Sequence, residues 1–428
     1  MTIKLTDPLL LPCGVELSNR LCKAAMTEGL ADAQNRASDR HLRLYESWAA
    51  ARVGLSLSGN IHIDRRHLER AGNIAVDGNG GEESLARLVR TVRADDTQFW
   101  AQINHAGRQS PAPLCPQPIA PSPVQLQMKG AHFVAPREAT EAELVDLIRR
   151  FAQVAEVTKG CGFTGAQIHA AHGYLLSEFL SPLANRRNDR WGGSLENRAR
   201  LLVEVCRAVR EAVGPDYPIS VKLNSADLQK GGFSHDESLT VLQILDAENV
   251  DLVEISGGNY EDAGLLFGDK DANGRVLRDS TRRREEYFLD YARKARQVRR
   301  KPLMVTGGFR SRAAMEAALE SGELDMIGLA RPLVCDPASA ARLLDGSDEA
   351  LPRFEDRLRP LQAQDMPDLD EDTLKTVNIF GHLGWFYMNI FHIGAGQPPR
   401  LDATLADSAR DYPPMEEAVI NDWDSPWT

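Results

Sequence analysis

Short apolar runs alternate with amphipathic segments along most of the chain. The apolar runs predict eight strands, at Leu21–Met26, Leu55–Ile63, Phe99–Asn104, Gly165–His169, Ile219–Leu223, Leu252–Ile255, Leu303–Thr306 and Met326–Leu329. Segments with apolar residues at helical spacing lie between them, at Asp39–Arg52, Glu82–Arg93, a helix opening at Thr140, Leu195–Val213, Asp236–Glu248, Arg284–Arg299 and Ala313–Ser321. The chain therefore alternates strands with helices.

Two of the predicted helices begin with a capping box, in which a hydroxyl and a later carboxylate satisfy free backbone N–H groups. Thr140 with Glu143 opens one helix, and Ser234 with Glu237 opens the other. The apolar positions after Thr140 share one helical face and are Leu144, Leu147, Ile148, Phe151, Val154 and Ala155. This spacing predicts a helix with one buried side.

Strands that are apolar almost throughout are typical of a parallel sheet whose outer face is covered by helices. Eight such strands can close, so we predict an α/β fold, a (β/α)8 TIM barrel with a C-terminal extension. An open doubly wound sheet is the alternative, but its usual GxGxxG turn does not occur in the sequence. The barrel is expected over residues 1–345, with an inserted loop or hairpin around 111–136.

Residues 346–428 form the predicted extension. An acidic stretch up to Asp372 precedes the aromatic run Ile379–Ile393. Because a run of this kind requires burial, we expect the extension to pack on the barrel or on a partner subunit. The second of these arrangements would make the protein a homo-oligomer.

Composition narrows the functional classes. The 428 residues carry 50 Lys and Arg against 61 Asp and Glu, and the formal charge of −11 argues against a nucleic-acid partner. A hydrophobic fraction of 43% suits a soluble globular chain. No apolar stretch approaches the roughly 20 residues of a membrane helix, and a signal-peptide pattern is missing. Six scattered cysteines without a CxxC pair predict a reducing, cytoplasmic location.

Active groups of such barrels gather at the carboxyl ends of the strands. The polar candidates there are Thr27, Asn60, Gln102, Asn104, His105, His169, His172, Tyr174 and Lys222. Strands seven and eight end at Gly307–Gly308 and at Ala330–Arg331, which together favour a phosphate held by backbone N–H groups and a guanidinium. A plain tight turn beside a solvated arginine is the alternative.

His169 and His172 allow more than one kind of site. Paired histidines bind zinc in many hydrolases, but Lys222 would repel a cation, and two structural histidines are a further alternative. We favour hydrogen-bond donation to a substrate oxygen, with the phenol of Tyr174 as a proton source. Gln102 suits the edge of a planar heterocycle, on which Lys222 would stabilise negative charge.

Several segments carry a family resemblance. The most specific is Gly162–Arg198, which reads GFTGAQIHAAHGYLLSEFLSPLANRRNDRWGGSLENR. Supporting segments are NRLCKAAMTEG at 19–29, QINHAGRQSP at 102–111, TGGFRS at 306–311 and IGLARPLVCDP at 327–337. Over about residues 5–345, the chain resembles the old yellow enzyme family of FMN-dependent NAD(P)H oxidoreductases.

The resemblance implies a role for each candidate. Along the flavin would lie Ala25, Met26, Thr27 (on the C4 carbonyl), Asn60 (mainly backbone contact), Gln102 (pyrimidine edge) and Lys222 (the N1–C2 carbonyl region). The phosphate would be held by Gly307, Gly308, Ala330 and Arg331. His169 and His172 would bind the carbonyl oxygen of an unsaturated substrate. Tyr174 would protonate its α-carbon after flavin N5 delivers hydride to the β-carbon.

This sequence departs from the family pattern in a few places. Lys222 stands where arginine is common, Asn60 where a small residue is usual, and Ala25 and Ala330 at sites that are often Pro and Gly. We expect FMN binding to survive these changes. The iron–sulfur cluster of some larger relatives is excluded, because Cys335 is the single cysteine after Cys206.

The expected function is therefore that of an ene-reductase. The protein would take hydride from NADH or NADPH and reduce the C=C bond of a small α,β-unsaturated carbonyl compound by a ping-pong mechanism. The alternatives are an FMN-dependent dehydrogenase or N-demethylase of a small metabolite, a zinc-dependent hydrolase, and a non-catalytic flavin-holding protein. We expect the loops Pro111–Pro136 and Tyr260–Thr281 to determine specificity.

Overall fold

Eight parallel strands form a closed barrel in the computed structural model, which describes residues 3–93, 97–128, 132–258 and 289–427. The strands are β1 (Leu21–Lys23), β2 (Leu55–His62), β3 (Gln98–Asn104), β4 (Gly165–Ala170), β5 (Ile219–Asn224), β6 (Leu252–Ser256), β7 (Leu303–Thr306) and β8 (Met326–Leu329). Each strand pairs with the next, and β8 pairs with β1. The predicted TIM barrel is confirmed.

Helices follow the strands in the predicted order. They are α1 (Asp39–Ala49), α2 (Glu82–Val92), α3 (Glu141–Gly160), α4 (Leu195–Val213), α5 (His235–Ala247), α6 (289–298), α7 (Arg312–Glu320) and α8 (Ala338–Asp345). Both predicted capping boxes are present, at Thr140 before α3 and at Ser234 before α5. The start of the predicted helix Arg284–Arg299 and the loop Tyr260–Thr281 lie outside the described residues.

The first strand is shorter than predicted. The backbone N–H of Ala24 donates to the carbonyl of Leu329 at 2.8 Å, and β1 ends at Lys23 rather than at Met26. Ala25 and Met26 continue the apolar run past this point. They pack against the buried clusters but do not join the sheet. The segment from Ala25 to Thr27 is therefore a loop at the strand end. The other strand bounds differ from the prediction by at most one residue.

The amino-terminal end of the barrel is filled with apolar side chains. A short antiparallel pair, Leu9–Leu10 with Glu16–Leu17, lies at this end. Leu9 and Leu17 of this pair share one buried cluster with residues at or near the starts of strands, namely Cys22, Leu55, Leu57, Trp100, Leu252, Met304 and Met326. Polar groups inside the barrel are consequently concentrated towards the carboxyl ends.

The structure describes the inserted stretch around 111–136 at residues 111–128 and 132–136. Ile119–Ala120 and Arg137–Glu138 pair in parallel across it. A hairpin would require antiparallel pairing of consecutive strands, whereas this pair is parallel.

The C-terminal extension consists mainly of two helices, α9 (Glu371–Gly394) and α10 (Leu405–Asp422). They pack on each other and α9 packs on α1 of the barrel. The indole N–H of Trp423 donates to Asn35 Oδ1 at 2.8 Å and ties the end of the chain to a barrel loop. Within the described ranges, none of the helices has the length and apolar character needed to cross a membrane.

Candidate active site

The carboxyl ends of neighbouring strands bring polar side chains into register. One row consists of Asn60, Gln102 and Gln167 on β2, β3 and β4. A second row consists of His169, Lys222 and Glu254 on β4, β5 and β6. Gln167 and Glu254 are missing from the sequence prediction, although a polar residue inside an apolar strand is a signal that could have found both.

A buried network joins the two rows. The Gln102 Nε2 donates to Gln167 Oε1 at 2.6 Å, and Gln167 Nε2 donates to Glu254 Oε2 at 2.9 Å. The Lys222 Nζ lies 3.0 Å from Glu254 Oε1, and the two side chains are 5% and 0% exposed. Because a buried charge requires a partner, Glu254 compensates the ammonium of Lys222.

A tight turn after β4 assembles two histidines and a tyrosine. His172 and Gly173 have φ of 62° and 78°, and the backbone N–H of His172 donates to Asn224 Oδ1 at 3.1 Å. The ring centroid of His169 lies 5.2 Å from that of His172 and 4.9 Å from that of Tyr174. The structure thus brings together three side chains that the sequence placed after one strand.

The two imidazoles are neutral; His169 is buried and His172 is partly buried. Burial, reinforced by the charge of Lys222, holds the pKa of His169 and of His172 well below the usual range. The backbone N–H of Ala171 donates to His169 Nδ1 at 3.2 Å, so the imidazole proton of His169 is on Nε2. His172 Nε2 lies 2.6 Å from Ser256 Oγ. His169 can therefore donate a hydrogen bond without carrying a charge.

Glu69, which the sequence analysis did not single out, lies among these residues. Its carboxylate accepts from the hydroxyl of Thr27 through Oε1 and from the phenol of Tyr174 through Oε2. Asn60 Nδ2 also donates to Oε2, at 2.9 Å. Glu69 lies in the segment between β2 and α2, and no spacing in the sequence connects it with Tyr174. A carboxylate in a loop after a barrel strand is the weak signal that could have found it.

The residues predicted to hold a phosphate lie at the ends of β7 and β8, a region called the phosphate corner below. Gly307 and Gly308 have φ of 109° and 83°, a conformation that glycine adopts freely and that turns the backbone sharply. Ala330 precedes the short helix Arg331–Cys335. Burial opposes ionisation of Glu355 from the extension, but the charges of Arg310 and Arg331 lower its pKa to about 2. Glu355 is thus a third carboxylate, after Glu254 and Glu69, that sequence reasoning missed, and it lies close to Arg331.

In the zinc alternative, the metal ion would lie close to the positive charge of Lys222. The charge of Lys222 adds to burial in lowering the pKa of both His169 and His172, so the ammonium is close enough to repel a metal ion on them. Among the residues that the structure describes, no three His, Cys, Asp or Glu side chains are grouped to hold a metal ion.

Comparison with known proteins identifies the family. The sequence model of the NADH:flavin oxidoreductase / NADH oxidase family matches residues 4–349. The chain is 34% identical to the NADH-dependent flavin oxidoreductase iliE of Hypocrea jecorina (strain QM6a) over 349 residues, which cover 77% of this chain and 86% of the relative. It is 36% identical to iliE of Neonectria sp. (strain DH2) over 350 residues, which cover 77% of this chain but 45% of that longer protein.

Solved structures share the fold at lower identity. The old yellow enzyme homologue from Zymomonas mobilis superposes with a TM-score of 0.69 at 23% identity, over 82% of this chain and 96% of that chain. Morphinone reductase superposes with a TM-score of 0.67 at 23% identity, over 82% of this chain and 92% of that chain. These superpositions define the fold as a TIM barrel. The chain belongs to the NADH:flavin oxidoreductase / NADH oxidase family, the old yellow enzyme family, which confirms the resemblance.

FMN is the cofactor of this family, and the residues present fit it. Asn60 Oδ1 and Thr306 Oγ1 are buried without a hydrogen-bond partner among the described residues, as expected of groups that face a bound molecule. Lys222 and Gln102 would supply a cation and an amide for the isoalloxazine ring, and Gly307–Gly308 with Arg331 would supply the chemistry of a phosphate site.

Proposed function

We propose that this protein is an FMN-dependent ene-reductase, which takes hydride from NADH or NADPH and reduces the C=C bond of α,β-unsaturated carbonyl compounds by a ping-pong mechanism. The observation that carries the proposal is the group of two neutral imidazoles beside a phenol at the carboxyl end of β4. Such a group can bind a carbonyl oxygen and supply a proton in one pocket.

His169 is the better defined of the two oxygen-binding groups. With its Nδ1 occupied by the Ala171 N–H, its Nε2–H is available to polarise a substrate carbonyl. A neutral donor stabilises an oxygen on which negative charge develops, but it does not bind a permanent anion in the ground state. His172 adds a second ring at 5.2 Å, and its contact with Ser256 fixes the ring orientation.

Tyr174 is the proposed proton donor to the substrate α-carbon. Its side chain is 5% exposed, so a substrate that meets the phenol is shielded from bulk water. FMN, when bound, supplies the hydride chemistry. Lys222 would stabilise negative charge on the isoalloxazine ring, while Gln102 would fix its edge.

The proposal also covers the class of substrate and the cellular location. The proposed substrates are small unsaturated carbonyl compounds. All six cysteines lie within the described residues and are free thiols, which supports a reducing, cytoplasmic location.

The test is an anaerobic spectrum of the purified protein with FMN. NADH or NADPH should bleach the flavin absorption, and cyclohexenone should restore it. Tyr174→Phe and the double variant His169→Ala/His172→Ala should retain the flavin yet restore its absorption at least about 10²-fold more slowly, the range of general acid catalysis. If the enone does not reoxidise the parent protein, or if both variants match the parent, the ene-reductase proposal is wrong.

A further inference from the structure

The carboxylate of Glu69 has no part in the roles proposed above, yet it contacts the proposed proton donor. Its Oε2 accepts from Tyr174 and its Oε1 from Thr27. Asn60 and Asn73 donate to Oε2 and Oε1 at 2.9 and 3.4 Å. Tyr174 is buried, whereas Glu69 is partly exposed. The carboxylate therefore lies between a buried phenol and solvent.

We propose that Glu69 relays protons from solvent to Tyr174, an inference that rests on the proposed ene-reductase function. The Glu69 carboxylate first takes a proton from water. As the Tyr174 O–H bond breaks and a C–H bond forms at the substrate α-carbon, this proton passes from Glu69 Oε2 to the phenol oxygen, so Glu69 returns to the carboxylate and Tyr174 to the phenol. Each turnover thus moves one proton from solvent to the substrate and restores both side chains.

The relay answers a physical difficulty of the buried pocket. A phenolate away from water is costly, because burial disfavours the charged form of a tyrosine. Direct reprotonation from bulk solvent requires that the pocket open. A carboxyl group in contact with the phenol oxygen removes this requirement, since one of its oxygens can receive a proton while the other gives one up.

The segment that carries Glu69 is held in place on several sides. Asn73 Oδ1 accepts from the backbone N–H of Arg70 at 2.9 Å, and Asn35 Nδ2 donates to the backbone carbonyl of Asn73 at 3.0 Å. The guanidinium of Arg70 lies 3.8 Å from the ring centroid of Tyr387 on α9. These contacts fix the direction of the neighbouring Glu69 carboxylate, as a proton relay requires.

Among the described residues, four titratable or charged groups lie close to Glu69. Tyr174 contacts it directly, and the Glu69 carboxylate raises the pKa of His62, Arg70 and Tyr387. Burial lowers the pKa of His62 to about 4, although Glu69 opposes the shift, so this imidazole is neutral near pH 7. Arg70 is the cation of the group and Tyr387 is a neutral phenol, its pKa raised by burial to about 12.

The first test separates the two half-reactions by anaerobic stopped-flow spectroscopy of the FMN-loaded protein. Glu69→Gln should slow reoxidation by cyclohexenone about 10²-fold, more than it slows reduction by NADH. Glu69→Asp, which keeps the carboxyl group, should recover part of the rate. Adding Glu69→Gln to Tyr174→Phe should cause no further loss, because the two residues act in one step.

The matched control is Glu316→Gln on α7. Glu316 is a partly exposed carboxylate that pairs with Arg312 at 3.1 Å, and its loss should leave both half-reactions unchanged. Reoxidation of the Glu69→Gln variant at the parent rate would overturn the relay. So would rate losses of Glu69→Gln and Tyr174→Phe that multiply in the double variant.

A second readout does not depend on turnover. The ultraviolet absorption of tyrosinate is followed against pH in the parent, Glu69→Gln, and the double variant with Tyr174→Phe, which identifies the contribution of Tyr174. Glu69→Gln should lower the pKa of Tyr174, because a carboxylate on the phenol oxygen opposes its ionisation. If NADH reduces the parent protein and cyclohexenone does not reoxidise it, the proposed function fails, and this titration still decides the relay contact. An unchanged titration overturns it.

Discussion

The buried pair of Lys222 and Glu254 gives a sharp prediction about stability. Replacing Glu254 by Gln removes the charge and keeps the size of the side chain. The ammonium of Lys222 then stays inside the barrel, 5% exposed, without its carboxylate. Gln167, whose Nε2 donates to Glu254 Oε2 at 2.9 Å, retains an amide oxygen as a partner. The loss is therefore mainly that of the charge.

The magnitude follows from the distance. Two unit charges 3.0 Å apart attract by about 5.5 kcal/mol at an effective dielectric constant of about 20. Breaking a buried pair by removing one partner typically costs about 3–5 kcal/mol. We expect Glu254→Gln to lower the free energy of unfolding by about 3 kcal/mol, since the amide still accepts one hydrogen bond.

The assay is urea unfolding of the purified protein, followed by circular dichroism. Glu248→Gln is the control, because Glu248 pairs with Arg207 at 2.6 Å but the arginine side chain is 56% exposed. Exposed pairs contribute at most about 1 kcal/mol. The double variant Lys222→Met/Glu254→Gln should lose less stability than the sum of the two single variants. A Glu254→Gln loss no larger than that of Glu248→Gln would refute the reasoning, as would strictly additive losses in the double variant.

Three further predictions concern pH, the phosphate corner and the extension. Burial lowers the pKa of His62 and of His67 to about 4. Because both histidines take up a proton below about pH 6.5 in the unfolded chain, each should lower the free energy of unfolding by about 1.4 kcal/mol for every pH unit between pH 6.5 and 4. The midpoint of urea unfolding should decrease as the pH is lowered across that window, and a constant midpoint would contradict this. Gly307→Ala and Gly322→Ala both place a β-carbon at positive φ (109° and 73°) with open space around it, so each should cost about 1–3 kcal/mol. Only Gly307→Ala should weaken FMN binding, measured by fluorescence titration, and equal effects would exclude Gly307 from the cofactor site. Arg70→Met should lower stability by about 2 kcal/mol through its lost aromatic and ionic contacts to the extension, and proteolysis should then cleave residues 346–428 faster than in the parent.

The sequence alone predicted the architecture. Apolar periodicity gave the eight strands and the helices between them, and the Thr140 and Ser234 capping boxes marked two helix starts, because these signals are local in the chain. The rule that polar groups gather at the carboxyl ends of barrel strands also indicated Gln102, His169 and Lys222, which the structure brings to adjacent strands.

The partners of these residues depended on the tertiary structure. Glu69 follows β2 and meets Tyr174 after β4, and Glu254 on β6 meets Lys222 on β5. The end of β1 at Lys23 likewise depended on where its neighbours stop pairing. Periodicity describes which face of a segment is buried, but it contains no information on which side chains meet across the closed barrel. Those contacts are set by strand register and loop direction, and they decide which carboxylate shares the proton of Tyr174.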